Sequence, residues 1–89
     1  MGFDQDRWNS GAGNFTGENP REGMIGDVRD VVSYGMLRTD VHAVLGPPDS
    51  SGRDVDGYAL GRSAVGVDFE TLEIGYADGR VVRVDVTTT

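Results

Sequence analysis

The residue types best suited to chemistry in this sequence are one histidine and one short acidic motif. His42 is the only histidine, which excludes a histidine-rich metal site. It follows Val41 and lies off the apolar stripe of its predicted helix, so we interpret it as a surface residue. None of the serines lies in a nucleophile-elbow motif. Cysteine is absent, which excludes thiol nucleophiles, thiolate zinc sites and disulfides.

The acidic motif Asp54-Val55-Asp56-Gly57 has the alternation of carboxylates that ligate calcium or magnesium. An EF-hand loop counted from Asp54 would need glycine and glutamate where the chain has Ala59 and Val65. The same tetrapeptide resembles that of an aspartate-nucleophile phosphatase, but such chemistry needs a far larger domain. We therefore interpret residues 49–57 as a solvated loop, and we predict no metal, no cofactor and no enzymatic activity.

The bulk composition describes one small acidic domain. The chain has 89 residues and a formal net charge of −7, from 15 acidic and 8 basic side chains. Such a surface repels phosphate backbones and anionic membranes, which argues against nucleic-acid binding. No apolar run approaches membrane-spanning length, so we expect no membrane insertion. The opening MGFDQDRW is acidic and has no apolar core, so it does not resemble a signal peptide. The compartment stays open: cytoplasmic as the sequence stands, periplasmic if a leader was removed.

The first predicted helix follows Asn19, a suitable N-cap, with Pro20 at the first helical position and Glu22 placed for a capping box. Apolar residues recur at helical spacing from Met24 to Val32. Gly35 then supplies a stop signal. We therefore predict one amphipathic helix between the cap and this glycine.

The second predicted helix lies in the stretch GMLRTDVHAVLGPP, residues 35–48. Thr39 is its expected N-cap, and Gly46 followed by two prolines prevents the helix from continuing. Only about two turns fit between these signals, and a helix that short is not stable alone in water. We therefore expect tertiary packing to stabilise it.

Three strands are predicted after the helices. Tyr58 begins a short strand, and alternation over Leu72–Tyr76 and Val82–Val86 indicates a closing hairpin. We assign a three-residue turn to the hairpin, which pairs Ile74 with Val82 and keeps both apolar rows on one face. A two-residue Asp-Gly turn would place apolar residues of one strand opposite charged residues of the other.

These elements predict an α+β fold, with two helices packed on one face of a three-stranded antiparallel sheet in the order α-α-β-β-β. Residues 1–18 show no regular period and are predicted to form a partly flexible N-terminal arm, with Trp8 against the folded body. Residues 19–89 are predicted to form the single domain.

The string from Gly35 to Val41, continued by Val44 to Asp49, resembles the hallmark of the SmpA/OmlA (BamE-like) small-domain family. Its members share a GM.R.EV…LLGPPD block, a tyrosine-bearing strand and a closing hairpin with Asp-Gly at its turn. The last two resemble Tyr58–Gly61 and Leu72–Val86 of this chain. The resemblance covers about residues 20–87. It implies a bacterial protein with a β-lactamase-inhibitor-protein-like fold and a non-catalytic binding role; anchored members assist outer-membrane protein assembly.

We therefore expect a small acidic protein-interaction module that is not an enzyme. The alternative is an inhibitor or immunity-type protein that binds and neutralises a basic enzyme or toxin, toward which acidic charge would steer it. The expected contact residues are Trp8 in the N-terminal arm and five positions on one sheet face: Thr71, Glu73, Val81, Arg83 and Asp85. The expected partner is another protein of unknown identity, and the chain itself is a monomer or a weak homodimer.

Overall fold

A four-stranded antiparallel sheet is the main layer of the structure, a computed structural model that describes residues 2–62 and 68–88. The strands lie side by side in chain order: β1 Ser50–Ser51, β2 Val55–Arg62, β3 Phe69–Ala77 and β4 Arg80–Thr88. The prediction of a three-stranded sheet is therefore wrong. The missed strand, β1, consists of two exposed polar residues. It forms because the chain reverses direction after Ser51, so that β2 pairs antiparallel with it.

The helices are shorter and more numerous than predicted. They are α1 Gln5–Asn9, a 3₁₀ helix Pro20–Met24, α2 Ile25–Val31 and α3 Arg38–Leu45. An α+β class is compatible with this architecture, but the two-helix order α-α-β-β-β is wrong. The first helix has no detectable period because it spans five residues and buries a single side chain, Trp8.

One apolar core joins the helices to the sheet. Its largest side chain is Trp8, which is fully buried and donates its indole N–H to the carbonyl oxygen of Leu45 at 3.0 Å. The other buried apolar side chains of this core are Met24, Val28, Val32, Val41, Leu45, Tyr58, Leu60, Leu72, Ile74, Tyr76, Val81 and Val84. Burial of this continuous apolar surface supplies the main driving force for folding.

The N-terminal segment is hydrogen-bonded to the domain along its length. The side-chain amide of Gln5 donates to the carbonyl oxygen of Ala43 at 2.9 Å, and the backbone N–H of Gly13 donates to Asp49 at 2.8 Å. Farther on, the carbonyl oxygen of Gly17 accepts a hydrogen bond from β2. Together with Trp8, these contacts make the described part of residues 1–18 a component of the folded domain.

The Asn19 cap is confirmed, since its side-chain oxygen accepts a hydrogen bond from the backbone N–H of Arg21 at 3.0 Å. The turn that follows is 3₁₀ rather than α, and α2 ends at Val31, before the predicted stop at Gly35. The structure shows no capping box: a carboxyl oxygen of Glu22 is buried without a hydrogen-bond partner among the described residues, and the carboxyl group of Glu70 on β3 lies near it.

The start of α3 is set by tertiary contacts. Its N-cap is Leu37 and not the predicted Thr39, and Leu37 makes no side-chain cap. Instead, the backbone N–H of Arg38 donates to the carbonyl oxygen of Gly79 at 2.9 Å, so the turn between β3 and β4 holds the helix start. The predicted end is confirmed: Gly46 follows the helix with φ of 78°, a conformation that favours glycine.

The hairpin turn has two residues and not three. Asp78 and Gly79 both have positive φ, 51° and 75°, as a type I′ turn requires. A β-bulge restores the separation of the faces, because Val82 is an extra residue and Ile74 pairs with Val84. Residues 63–67, between β2 and β3 in the sequence, lie outside the described part of the chain.

Candidate functional site

The densest polar cluster of the described structure surrounds Asp56 near the start of β2. Its carboxylate is fully buried. Strand alternation explains the position: Asp56 pairs with Ile74 and Tyr58 with Leu72, so these side chains share the core face of the sheet. The interpretation of residues 49–57 as a solvated loop is therefore wrong for Asp56. A charge buried in this way is costly unless it is paired and hydrogen-bonded.

Four side chains satisfy this carboxylate. Arg38 approaches both oxygens, with Nη2 at 2.7 Å from Oδ1 and Nε at 3.3 Å from Oδ2. The Nε2 of His42 lies 2.6 Å from Oδ2. Tyr76 donates its hydroxyl to Oδ2 at 2.8 Å, and Ser51 donates to Oδ1 at 3.1 Å. Because Arg38 and His42 are one turn apart on α3, both point toward Asp56.

The charges within this cluster stabilise one another. Burial by itself raises the pKa of Asp56, but the hydrogen bonds from Arg38, His42, Tyr76 and Ser51 outweigh it, so this pKa lies below its ordinary value of 3.8. The hydrogen bond to Asp56 raises the pKa of Arg38. Burial, together with the hydrogen bond to Asp56, raises the pKa of Tyr76. At neutral pH the cluster therefore contains a carboxylate, a guanidinium and a neutral phenol.

Arg38 also connects α3 to the chain between β1 and β2. Its guanidinium donates to the carbonyl oxygens of Arg53 at 2.7 Å, Gly52 at 2.9 Å and Val55 at 3.3 Å. The same group lies over the ring of Tyr76, 4.7 Å from its centroid, which adds a cation–π contact. One side chain thus fixes the loop, the helix and the sheet relative to one another.

The arrangement has the contacts of a structural ion network. In a Ser-His-Asp triad the imidazole stands between the carboxylate and the hydroxyl. In this cluster both Ser51 and His42 bond to Asp56, so the hydroxyl and the imidazole are not in series. The side chain of His42 is 36 % exposed, and its prediction as a plain surface residue misses the contact with Asp56. Within residues 2–62 and 68–88, no group of three acidic, histidine or cysteine side chains converges as metal ligands.

A second buried ion pair joins Arg21 of the 3₁₀ helix to Asp49, the residue before β1. The guanidinium of Arg21 is 2.7 Å from the carboxylate of Asp49, donates to the carbonyl oxygen of Trp8 at 2.7 Å and lies 4.5 Å from the centroid of the Trp8 ring. Asp49 also accepts hydrogen bonds from the backbone N–H groups of Gly13 and Ala59, each at 2.8 Å. No local sequence pattern indicates this pair, because its members are 28 positions apart.

The predicted contact residues divide into buried and exposed positions. Trp8 and Val81 belong to the core, with exposed fractions of 0 % and 1 %, so the placement of Val81 on the exposed sheet face is wrong. The side chain of Val81 lies on the core face, and not on the predicted outer face, because the turn has two residues and not three. Alternation along the strands places the other four on the face opposite the core: Thr71, Glu73, Arg83 and Asp85. Whether they contact a protein stays a prediction.

Three apolar side chains near β4 are exposed to solvent. Tyr34 is 71 % exposed, Val82 56 % and Leu37 41 %. A groove of about 220 Å³ beside them is lined by Arg29, Val32, Ser33, Tyr34 and Val84. Val82 is exposed because it is the bulge residue, and strand alternation alone would not single it out.

In the part of the chain that the structure describes, no helix is both long enough and apolar enough to cross a membrane. The sequence matches no protein-family model, no curated protein and no solved structure. The resemblance to the SmpA/OmlA family, and the function that it implies, therefore stay predictions.

Proposed function

We propose that this chain is a non-catalytic protein-interaction module that binds another protein through its outer sheet face, defined as Thr71, Glu73, Arg83 and Asp85. The observation that carries the proposal is the accessibility of charged side chains on neighbouring strands. Asp85 is 52 % exposed, Arg83 44 % and Glu73 35 %, and Arg83 forms ion pairs with both acids. A face with such paired charges offers a partner a defined electrostatic pattern.

The buried charges of the molecule support a binding role. Both oxygens of the Asp56 carboxylate are occupied by donors from α3, β1 and β3, and the Asp49 carboxylate accepts hydrogen bonds from Arg21 and from two backbone N–H groups. These networks fix the positions of the helices against the sheet. A rigid sheet held in this way presents its outer face without a large loss of conformational entropy on binding. The resemblance to the SmpA/OmlA family implies the same class of function.

The distribution of charge favours a basic partner. Arg21 and Arg38 are both paired with buried carboxylates, so the net charge of −7 is carried by the remaining, more exposed side chains. A surface of this sign accelerates association with a positively charged protein and repels nucleic acid. The same observation is what supports the alternative, an inhibitor or immunity-type protein that neutralises a basic enzyme or toxin.

Affinity capture with the full chain as bait, from a lysate of the cell that makes it, tests the proposal. The wild type is compared with the triple variant Glu73→Ala/Arg83→Ala/Asp85→Ala. A control of the same charge change carries Asp6→Ala/Asp40→Ala/Arg53→Ala at exposed positions elsewhere.

We expect the wild type and the control to retain the same partner and the outer-face variant to lose at least about 90 % of it, since alanine changes at interface hot spots cost over 2 kcal/mol. A steep fall in capture with rising salt would favour steering by charge. Equal capture by the two triple variants, or no captured partner, would contradict the proposal.

A further inference from the structure

The outer edge of β4 is covered only where the strand begins. β4 is the last strand in the sheet order. On its outer side, Val81 accepts a hydrogen bond from the N–H of Gly35 at 2.8 Å and donates to the carbonyl oxygen of Met36 at 2.9 Å. Among the described residues, no strand covers residues 82–88 on this side. An edge strand with free backbone groups is a template for a strand from another chain.

The sequence of this free edge is complementary to itself. Residues 82–86 read Val-Arg-Val-Asp-Val. When two copies run antiparallel with Val84 facing its own counterpart, Arg83 of each copy faces Asp85 of the other. Opposite charges directly across an antiparallel pair are favourable, and like charges are unfavourable. Shifting the centre of pairing by one residue places two arginines or two aspartates opposite each other, so the charges select one register.

We propose that two copies of this chain pair antiparallel through residues 82–86 of β4, extending the sheet to eight strands across a two-fold axis. Both charged residues are available for this contact, with Arg83 44 % and Asp85 52 % exposed. Val82, which is 56 % exposed, lies at one end of the paired segment. The occupant of this edge is thus a second copy, because the charges of its own β4 match those of the edge.

The association is weak. Five paired residues in each copy cover much less than the roughly 1,600 Å² of a standard interface. The net charge of −7 on each copy also opposes association. We therefore expect a dissociation constant in the micromolar to millimolar range, about 10 µM to 1 mM. This inference does not rest on the proposed function, because the pairing takes place in the purified chain alone.

Sedimentation velocity on the purified full chain measures the association at near-physiological salt, where the Debye length is about 8 Å. Arg83→Asp and Asp85→Arg each place like charges opposite each other twice in the symmetric pair. We expect either substitution to raise the dissociation constant at least about 10-fold. An equimolar mixture of the two variants restores opposite charges at both contacts, because one variant then carries two acids and the other two bases.

The mixture should therefore associate at least about 10-fold more tightly than either variant alone. The mixture also controls for folding. Arg83 pairs with Glu73 and Asp85 inside one chain, so either substitution removes contacts of the folded chain. A variant that had misfolded for this reason would not recover association when mixed. The matched control mixes Arg53→Asp with Asp40→Arg, the same charge changes at exposed positions outside β4.

Three results would overturn the proposal. The wild type could stay monomeric across the whole concentration range, which would leave the edge without a second copy. The two β4 variants could associate as tightly as the wild type. The control mixture could gain as much as the β4 mixture, which would assign the effect to net charge and not to strand pairing.

Discussion

Replacing Asp56 by asparagine tests whether the ion network on β2 stabilises the fold. Asparagine keeps the size and shape of the side chain, but it removes the negative charge and turns one acceptor oxygen into a donor amide. Asp56 accepts hydrogen bonds from Arg38, Tyr76 and Ser51 and contacts His42. Because Arg38 donates to both carboxylate oxygens, the new amide faces at least one donor whichever oxygen it replaces, and Arg38 loses its counter-charge.

The burial of the carboxylate determines the size of the effect. Removing one partner of a buried ion pair costs about 3–5 kcal/mol. Asp56 is fully buried, but the side chain of Arg38 is 24 % exposed, so water can replace part of the lost interaction. We therefore expect Asp56→Asn to lower the free energy of unfolding by about 3 kcal/mol, a large share of the 5–15 kcal/mol typical of a domain.

Urea denaturation followed by circular dichroism at neutral pH measures this loss. Asp54→Asn is the matched control, because Asp54 is exposed and lies two positions away. The control should change the free energy of unfolding by less than about 0.5 kcal/mol. A loss below about 1 kcal/mol for Asp56→Asn, or equal losses for the two variants, would refute the view that a buried network stabilises the sheet.

The pH dependence of stability supplies a second readout for the same variant. Since the folded state lowers the pKa of Asp56, this carboxylate adds stability above its unfolded pKa of 3.8, and the contribution disappears as the pH falls through the lower folded value. Below pH 3.8 the wild type should therefore lose stability more steeply than Asp56→Asn. Parallel curves would contradict the assignment.

Three further substitutions test other parts of the structure. Burial and a neighbouring carboxyl group raise the pKa of Glu22 from 4.5 to about 7. Its contribution to stability is therefore present below pH 4.5 and is lost as the pH rises through about 7. Glu22→Gln should remove this loss when the free energy of unfolding is measured at both ends of that range. Thr39→Ala should change the unfolding free energy by less than about 0.5 kcal/mol because Leu37 is the N-cap, whereas a loss near 1 kcal/mol would identify Thr39 as the cap. Gly79→Ala should destabilise the protein by about 1–2 kcal/mol because φ is 75° at this position, and an unchanged thermal midpoint would contradict the assigned turn.

The parts of the fold that could be predicted are those determined by residues within one or two turns of one another. The Asn19 cap and the Gly46 stop are of this kind, since each acts on neighbouring backbone groups. The alternation over β3 and β4 was likewise sufficient to identify a hairpin. β1 could not be predicted, because Ser50–Ser51 is too short and too polar to show a strand pattern.

The hairpin turn shows a limit of arguing from alternation. An extra residue in one strand shifts the parity of everything beyond it, so the pattern of apolar residues is the same for a three-residue turn and for a two-residue turn followed by a bulge. The structure has the second arrangement, with Val82 as the extra residue. Turn length and bulge position together decide which valines are buried, and the predicted placement of Val81 was wrong for this reason.

The polar cluster could not be predicted because its members come from different elements. Asp56 is separated from His42 by 14 positions, from Arg38 by 18 and from Tyr76 by 20. Alternation would have placed Asp56 on the core side if the strand of Tyr58 had been extended toward its N-terminus. The polar composition of residues 49–57 indicated a loop instead, and charged residues are rarely fully buried unless they are paired.

The block from Arg38 to Asp49 has a larger role than its helix-stop residues suggest. Gly46 and the two prolines after it end α3, and Asp49 then forms its ion pair with Arg21 of the 3₁₀ helix. Arg38, a charged residue of the same block, holds α3 against the start of β2 through its ion pair with Asp56. A two-turn helix cannot supply its own stability in water. Its position is determined by an ion pair at each end of the block, so the residues that define this architecture are its charged side chains together with its glycines and prolines.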